Sequence, residues 1–406
     1  MKAEDISALA EFAQANGIAL TFVGGETALA LGIVDEFEKL GLRIVGPSRR
    51  AAELEASKSF AKDFMVRHGV PTALYKTAHS ASEAVEFLES GAFGDESSPV
   101  VVKADGLAAG KGVVVAKDRA EAITAINEME NLVGADAAGL IVLEECLFGR
   151  EVSLLAFADG ENFALMPPTR DHKRIGERDT GPNTGGMGTI TDETLLTSEQ
   201  LVQIIEKMIK PTLAGCAAEG FPFRGIMFLG IMLARVDSPH VSKGSTEALT
   251  YVRATDTAAD ADAGVPMLLE YNVRFGDPET QSILVRLETD IVDICDAVID
   301  GTLGELPIAW REGNSATVVL ASAGYPEKAR TGDVISGVEK AAARPGVSVF
   351  HAGTSVNIDG ELITSGGRVL GVTATADNLP EALRKAYEAA GDISWEGMQY
   401  RRDIGK

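Results

Sequence analysis

Residues 268–281 read LLEYNVRFGDPETQ and join an apolar strand to a dense set of polar side chains. Glu270 and Asn272 stand two residues apart, and side chains at that spacing on a strand point to the same face. A carboxylate beside an amide oxygen suits a hard cation such as Mg²⁺, which takes oxygen ligands and shares them with phosphates. Arg274 continues this face and would add an anion clamp. The alternative is a strand with one solvated face, but the polar groups that follow favour a binding site: Asp277, Glu279 and Gln281.

A second stretch, residues 100–115, places a glycine-rich loop between two β-branched runs, which predicts strand, loop and strand. It is not a Walker A loop, because the spacing from Gly106 to Gly110 is one residue too short and Gly112 stands where Ser or Thr is required. A glycine hairpin can still lay backbone N–H groups over phosphates, with Lys103 and Lys111 as point charges. A mobile hairpin with no ligand is the alternative.

Composition limits the classes of partner. The chain has 406 residues, of which 45% are hydrophobic, enough for two or three domains with their own cores. Its net charge of −23 argues against nucleic acid and anionic membranes as partners. No apolar run is long enough to span a bilayer, and no apolar signal region follows the first residues. The cysteines are isolated, which favours a reducing cytoplasm over disulfides or a zinc cluster: Cys146, Cys216 and Cys295.

Hydrophobic periodicity predicts the order of elements. The first part of the chain has helical spacing at 6–15 and 27–40 and short strands at 18–23 and 43–47, as in part of a doubly wound domain. Further helices are predicted at 51–67, 119–133, 202–218 and 379–390, and strands at 140–144, 151–157, 228–234, 317–322, 347–350 and 367–374. The region after residue 313 is therefore expected to be a β-rich α+β domain.

Three stretches have no regular period. The bend at 146–150 can hold an adenine by backbone groups, although any hairpin has the same pattern. Residues 171–188 are rich in glycine and in both charge signs, which is typical of either a solvated surface loop or a binding loop. Residues 235–266 are too long for a tight hairpin and are expected to form a mobile excursion with one short strand near 248–254.

In combination, residues 103–112, 171–188 and 270–281 resemble the phosphoribosylamine–glycine ligases, the glycinamide ribonucleotide synthetases of purine biosynthesis. Shorter similar pieces are LEASK at 54–58, GYP at 324–326, RTGDVI at 330–335 and HAGT at 351–354. The resemblance covers nearly the whole chain in the family's order. It implies an α/β and α+β multidomain ATP-grasp enzyme. The implied domains are a partial doubly wound N-terminal domain at 1–53, an ATP-grasp domain at 54–300 and a β-rich C-terminal domain at 313–406.

The resemblance also implies the reaction. The carboxylate of glycine would attack the γ-phosphate of ATP to give glycyl phosphate, and the amine of 5-phosphoribosylamine would then displace phosphate. Such chemistry depends on alignment and charge neutralisation rather than on a covalent enzyme nucleophile. The implied cofactor is Mg²⁺, with Mn²⁺ as an alternative. The expected form is a cytoplasmic monomer that binds small molecules.

Roles for individual residues follow from the same resemblance. Glu270 and Asn272 would hold the metal, and Arg274 and Asp277 would act in catalysis. The residues implied to bind ATP are Lys58, Lys103, Gly110, Lys111, Gly112, Glu144, Glu145, Leu147 and Glu151. Those implied to face glycine and the ribosylamine are Asn183, Thr184, Gly185, Gly186, Met187, Gly188 and Arg274.

One departure concerns the beginning of the chain. Members of the family start with a strand and a turn of the type GNGGREHA, which binds the substrate phosphate, and the present sequence lacks such a turn. The turn at 23–26 remains, with Gly25 where the family usually has proline. Either the real start lies upstream of Met1 or this form lacks part of its substrate site, and we expect the 406-residue form to bind ATP but to handle phosphoribosylamine poorly. A non-catalytic ATP-binding protein and a formate- or bicarbonate-using ATP-grasp ligase are the competing hypotheses, and the NTGGMG and RFGDPETQ runs favour the glycine ligase.

Overall fold

The computed structural model describes residues 1–106, 112–134, 139–235 and 264–406, which form two compact units. Unit 1 comprises Met1–Leu165, Leu196–Arg274 and Cys295–Leu306; unit 2 comprises Met166–Leu195, Phe275–Ile294 and Pro307–Lys406. Each unit therefore combines segments that lie far apart in the sequence. Most of the excursion predicted at 235–266, with its short strand near 248–254, falls outside the described residues.

The longest described strands are Gly149–Asp159 and Arg224–Ala234 of unit 1, with 11 residues each. In chain order, the described strands are β1 (Thr21–Phe22), β2 (Ile44–Val45), β3 (Tyr75–Ala78), β4 (Val100–Ala104), β5 (Val113–Ala116), β6 (Ile141–Glu145), β7 (Gly149–Asp159), β8 (Phe163–Leu165), β9 (Thr169–Asp171), β10 (Arg174–Gly176), β11 (Thr180–Asn183), β12 (Gly188–Thr191), β13 (Arg224–Ala234), β14 (Val265–Asn272), β15 (Asn314–Ala321), β16 (Val347–His351), β17 (Thr354–Val356), β18 (Leu362–Thr364) and β19 (Arg368–Ala376).

Unit 1 contains two antiparallel sheets and one parallel pair. The larger sheet has the order β14–β13–β7–β8, the smaller one the order β3–β6–β4–β5, and β1 pairs with β2 in parallel. The smaller sheet is covered by the helix Arg119–Val133, whose Ile126 and Met129 are buried against Val102 and Leu143. Alternation along β4 and β6 gives the sheet one apolar face, and that face forms this core.

The helices of unit 1 confirm the predicted positions but not all the predicted lengths. The described ones are Ile6–Ala15, Glu26–Ala30, Ile33–Lys39, Arg49–Ala56, Lys58–Arg67, Ala81–Glu89, Arg119–Val133, Ser198–Ile204 and Lys210–Ala218, and Ile291–Asp300 runs across the division between the units. The π-helical segment Ile205–Ile209 joins the two helices around it. None of the described helices is long and apolar enough to cross a bilayer.

Two predictions of single long helices were wrong. The helix predicted at 27–40 is interrupted at Gly32, which has φ 88°, a left-handed conformation that glycine adopts without strain. The helix predicted at 51–67 is interrupted at Ser57, which is extended at φ −130° and ψ 114°. The Ser57 hydroxyl accepts the N–H of Phe60 at 3.1 Å and so caps the second helix. Lys58 consequently begins a helix instead of lying inside one.

Unit 2 is built on the antiparallel sheet β9–β12–β15–β19–β16, with β10–β11 and β17–β18 as separate pairs. Its helices are Glu279–Leu284, Val338–Ala342 and Leu379–Ala390, the last as predicted. The expectation that residues 171–188 lack regular structure was wrong in part, because β10, β11 and the start of β12 fall there. These strands are too short to show a period, and Arg178 and Asp179 between them have positive φ angles of 55° and 53°.

A chain of buried hydroxyl groups joins the sheet of unit 2 to the helix Glu279–Leu284. The Thr317 hydroxyl lies 2.7 Å from the hydroxyls of both Ser282 and Thr373. The Ser315 hydroxyl donates to the Ser282 carbonyl at 2.5 Å and lies 2.7 Å from the Thr191 hydroxyl. Each of these five side chains is at most 1% exposed. Because each hydroxyl can both donate and accept, the network satisfies polar groups that burial would otherwise leave unpaired.

Replacement of Thr317 tests this network. Thr317→Val keeps the shape of the side chain but leaves two buried hydroxyls without their partner, so we expect the free energy of unfolding to fall by about 1–3 kcal/mol. Thr21→Val, at a partly exposed position of β1, is the control and should change stability by less than about 0.5 kcal/mol. Urea titrations would measure both, and equal stabilities of the two variants would contradict the prediction.

Candidate active site

A β-bulge positions the carboxylate and amide that the sequence singled out. On β13, Gly230 pairs with Glu270 and Ile231 pairs with Leu268, so one extra residue, Leu269, is accommodated in β14. Beyond this bulge the strand alternates regularly: Tyr271 is buried, whereas Glu270 and Asn272 are partly exposed. The side chains of Glu270 and Asn272 therefore share one face, as their spacing predicted.

The strand opposite Glu270 leaves room for its side chain. A Cβ atom on Gly230 would lie 3.2 Å from Glu270 Cγ, closer than most real contacts. The Glu270 side chain therefore lies beside Gly230, a position of β13 that has no side chain to obstruct it. A carboxylate and an amide oxygen on one partly exposed face fit Mg²⁺, which is usually held by one or two carboxylates together with substrate phosphates. Within the described residues, no group of three or more His, Cys, Asp or Glu side chains is arranged to hold a metal.

Arg274 lies just after β14 and is paired with carboxylates of unit 1. Its Nε donates to Glu26 at 3.0 Å, and its Nη2 lies 3.0 Å from Glu55 Oε1. The other oxygen of Glu55 accepts the N–H of Val273 at 2.7 Å. Burial raises the pKa of Glu55 to about 7, although Arg274 and the Val273 N–H act in the opposite direction. Glu55 therefore titrates near neutral pH, next to the end of the strand that carries Glu270.

Glu144 of β6 joins two lysines in the interior of unit 1. Its Oε2 lies 2.8 Å from Lys62 Nζ, and its Oε1 lies 2.6 Å from Lys103 Nζ. Both contacts are ion pairs between buried groups. Burial would raise the pKa of Glu144, but Lys103 and Lys62 outweigh it and hold the pKa below its ordinary value.

The start of the glycine hairpin is attached to the helix that begins at Lys58. Lys58 Nζ donates to the Gly106 carbonyl at 2.8 Å, and Asp105 accepts the N–H of Ser59 at 2.9 Å. The hairpin closes where the Ala104 N–H donates to the Gly112 carbonyl at 2.8 Å. Burial lowers the pKa of Lys58, although Glu270 and Asp105 oppose this. The tip of the hairpin, including Gly110 and Lys111, lies outside the described residues.

The predicted adenine bend borders an apolar cluster. Leu147 is buried with Ala73 and Ala234, and the partly buried side chains packed against them are Met232, Met267 and Leu269. The Glu145 carboxylate accepts the N–H of Leu74 at 2.8 Å, which ties the end of β6 to the start of β3. Glu151 is exposed on β7, opposite Met232 of β13. An apolar patch with backbone groups at its edge is chemically suited to a purine ring.

In unit 2, the loop that runs from Asn183 into β12 is held in place by hydrogen bonds that its backbone N–H groups donate. Its N–H groups donate as follows: Thr184 to the Lys173 carbonyl at 2.7 Å, Gly185 to the Tyr325 hydroxyl at 3.1 Å, Gly186 to the Thr184 hydroxyl at 3.0 Å and Met187 to the His172 carbonyl at 2.8 Å. The Met187 side chain is fully buried and Gly188 pairs within the sheet, whereas Asn183 is exposed. These N–H groups are therefore engaged, and Asn183 offers an exposed polar side chain.

Arg368 connects this loop to Asp277. Its Nη1 donates to the carbonyl of Asp277 at 2.7 Å and also to the Gly185 carbonyl, and its Nη2 donates to Asp277 Oδ2 at 2.9 Å. The second Asp277 oxygen accepts from Gln281 Nε2 at 2.8 Å. A Cβ atom on Gly186 would lie 2.5 Å from the ring of Pro278, so the loop also packs closely on the turn that Asp277 begins.

The sequence reasoning missed three of these residues: Glu55, Lys62 and Arg368. Lys62 lies four positions after Lys58 and so shares its helix face, a signal that periodicity could have revealed. Glu55 and Arg368 form ion pairs with residues far away in the sequence, and nothing in their own neighbourhood indicates those partners.

Unit 1 has the antiparallel sheets of an ATP-grasp fold, and comparisons with known proteins identify the family. Three profiles match in order: the phosphoribosylglycinamide synthetase N domain at residues 1–55, its ATP-grasp (A) domain at 56–244 and its C domain at 315–406. A phosphoribosylamine–glycine ligase of Vibrio parahaemolyticus is 44% identical over 99% of this chain and 86% of its own length. The chain belongs to the phosphoribosylglycinamide synthetase family.

Other relatives agree with this assignment. The phosphoribosylamine–glycine ligase of Chlorobaculum tepidum is 45% identical over 100% of this chain and 88% of its own. The crystal structure of the Thermotoga maritima enzyme of that name has a TM-score of 0.74 at 34% identity, over 94% of this chain and 85% of that one. The biotin carboxylase domain of Hydrogenobacter thermophilus 2-oxoglutarate carboxylase has a TM-score of 0.68 at 17% identity, over 97% and 78%. That likeness concerns the fold alone, and the predicted ATP-grasp fold is confirmed.

The raised pKa of Glu55 predicts how stability depends on pH. A carboxyl group that titrates near 7 when folded and near 4.5 when unfolded contributes stability below pH 4.5, which is lost as the pH rises to 7. Glu55→Gln removes this titration, so its stability relative to the parent should rise by about 3 kcal/mol between pH 4.5 and 8. Urea titrations across this range would measure it. Glu53→Gln on the same helix, where the carboxylate is 39% exposed, is the control; a difference that stays constant with pH for Glu55→Gln would contradict the prediction.

Proposed function

We propose that this protein is the ATP-dependent ligase that joins glycine to 5-phosphoribosylamine, giving glycinamide ribonucleotide, ADP and phosphate in purine biosynthesis. The observation that carries this conclusion is sequence likeness over nearly the whole chain, 42–45% to curated relatives named phosphoribosylamine–glycine ligase. Unit 1 adds a site of suitable chemistry, with oxygen ligands on one strand face and buried lysines beside a glycine hairpin. The chemistry is that of an ATP-dependent carbon–nitrogen ligase.

The nucleotide is assigned to unit 1. Glu270 and Asn272 would hold Mg²⁺, or Mn²⁺ in its place, and the ion when bound would neutralise charge on the phosphates. Lys58 and Lys103 would bind phosphate oxygens, since each carries an ammonium group at the base of the hairpin. The remaining residues assigned to ATP are Gly110, Lys111 and Gly112 in the hairpin, Glu144, Glu145 and Leu147 at the bend, and Glu151 for the ribose.

Each unit contains residues that we assign to a substrate. In unit 1, Arg274 would recognise an anionic group of a substrate, and its two carboxylate partners would hold the guanidinium in place. In unit 2, Asn183 would contact substrate through its exposed amide, and the loop from Thr184 to Gly188 would give that amide its position. Asp277, oriented by Arg368 and Gln281, would act in catalysis as a fixed charge.

The domains, oligomeric state and location belong to the same proposal. Residues 1–53 would form the N-terminal substrate-binding part, residues 54–300 the ATP-grasp domain and residues 313–406 the C-terminal domain. We propose a monomer that acts in the cytoplasm on small molecules, with no nucleic acid or membrane partner. The alternative of a non-catalytic ATP-binding protein is not favoured, because relatives named as ligases match 99% of the chain.

A substrate panel tests the function. We expect ADP release from Mg-ATP to require glycine and phosphoribosylamine together, with glycinamide ribonucleotide as the product detected by mass spectrometry. Formate and bicarbonate should not replace glycine, which separates this ligase from ATP-grasp enzymes that use those acids. Binding of Mg-ATP without any product from glycine and phosphoribosylamine would favour the non-catalytic alternative instead.

The metal assignment predicts the effect of one substitution. Glu270→Gln removes a negative charge with little change in volume, so kcat/KM for Mg-ATP should fall about 100-fold or more while the fold is kept. Glu161→Gln, an exposed position on the turn before β8, is the control and should be silent. Parent-like activity of Glu270→Gln at saturating Mg²⁺ would show that this carboxylate is not a metal ligand.

A further inference from the structure

Two buried ammonium groups face one buried carboxylate in unit 1. The side chains of Lys62, Lys103 and Glu144 are 3%, 8% and 2% exposed. A buried charge is unfavourable unless it is paired. The carboxylate neutralises one of the two ammonium groups, so the three groups together have one positive charge in excess. Such an arrangement is suited to binding an anion.

The two lysines are held differently. Lys62 Nζ donates to the Thr72 hydroxyl at 2.7 Å as well as pairing with Glu144, and the Thr72 hydroxyl donates to the Leu268 carbonyl at 2.7 Å. Lys62 is therefore fixed to two strands, β6 and β14. Within the described residues, the Lys103 ammonium group has its ion pair with Glu144 and no second side-chain partner, and it stands at the end of β4 where the glycine hairpin begins. Lys103 is the lysine that can turn away with less loss of contacts.

We propose that Lys62 is a positioning residue that keeps Glu144 paired when Lys103 turns to a phosphate of ATP. This inference rests on the proposed function, since it takes Lys103 to be a phosphate ligand. Without Lys62, Lys103 would be the main counter-ion of Glu144, and phosphate binding by Lys103 would leave a buried carboxylate unpaired. Lys62 acts through Glu144 and does not touch the nucleotide.

The charge states of the cluster are consistent with this role. Burial lowers the pKa of Lys62, and the adjacent Glu144 carboxylate acts in the opposite direction because it favours the charged ammonium group. The pKa of Glu144 lies below its ordinary value, because Lys103 and Lys62 outweigh its burial, so Glu144 is ionised. An ionised Glu144 between two ammonium groups leaves this cluster with a positive charge in excess.

A double-mutant cycle tests the proposal. The dissociation constant of Mg-ATP, measured by calorimetry without glycine, should rise about tenfold or more in Lys62→Met. In the Glu144→Gln background, the same change at Lys62 should alter the constant by less than about threefold, because the residue acts through Glu144. KM for glycine should stay within about twofold of the parent in Lys62→Met, which a general loss of structure would not allow.

Controls keep the outcomes distinct. Lys76→Met removes an exposed lysine from β3 of the same sheet and should leave Mg-ATP binding unchanged. Lys62→Gln keeps a donor without the charge and replaces Lys62→Met if that variant does not fold. Equal weakening in both backgrounds, or no weakening in the parent background, would overturn the proposal. If the parent binds Mg-ATP but forms no glycinamide ribonucleotide, the proposed function fails while the cycle still tests Lys62.

Discussion

The pairing of the Glu144 carboxylate with Lys62 and Lys103 is the interaction on which the interior of unit 1 around β4 and β6 depends. Loss of one partner from a buried ion pair typically costs about 3–5 kcal/mol, so this cluster strongly fixes the elements that carry it. Those elements are β4, β6 and the helix that begins at Lys58. The same helix holds the base of the glycine hairpin through Lys58 and Ser59. The ion cluster and the base of the glycine hairpin therefore share one helix.

Local signals were sufficient for part of the fold. The helix Leu379–Ala390 could be predicted because apolar residues recur at helical spacing, and Asn378 caps its first turn. The predictions of single helices at 27–40 and 51–67 were wrong because of single residues. Gly32 and Ser57 each interrupt a segment whose helical periodicity continues on both sides. The short strand Gly188–Thr191 could not be predicted, because its partners Ser315–Val318 lie more than a hundred residues further along the chain. Strand pairing between residues so far apart in the sequence produces no recognisable pattern in the local sequence.

The site shows the same division between local and distant information. The common face of Glu270 and Asn272 followed from their spacing, whereas the bulge at Leu269 did not, although it allows both Leu268 and Tyr271 to be buried. Arg274 was expected to act as an anion clamp, and its pairing with Glu26 and Glu55 depends on residues more than two hundred positions away. The role of Arg368 likewise could not be predicted from its neighbours in the sequence, because the fold brings it to its partner Asp277. The local sequence was sufficient to predict which polar groups the strand presents. It was not sufficient to predict the ion-pair partners that orient Arg274.

We propose that ATP activates the carboxylate of glycine on this protein, and that lysines and a metal neutralise charge in place of a covalent enzyme nucleophile. The most direct measurement is the fate of oxygen from glycine labelled with ¹⁸O in its carboxylate. Glycine, Mg-ATP and phosphoribosylamine would be turned over together and the inorganic phosphate analysed by mass spectrometry. Attack of the carboxylate on the γ-phosphate predicts one ¹⁸O atom in each phosphate released. Phosphate without label, released at the rate of product formation, would contradict the account.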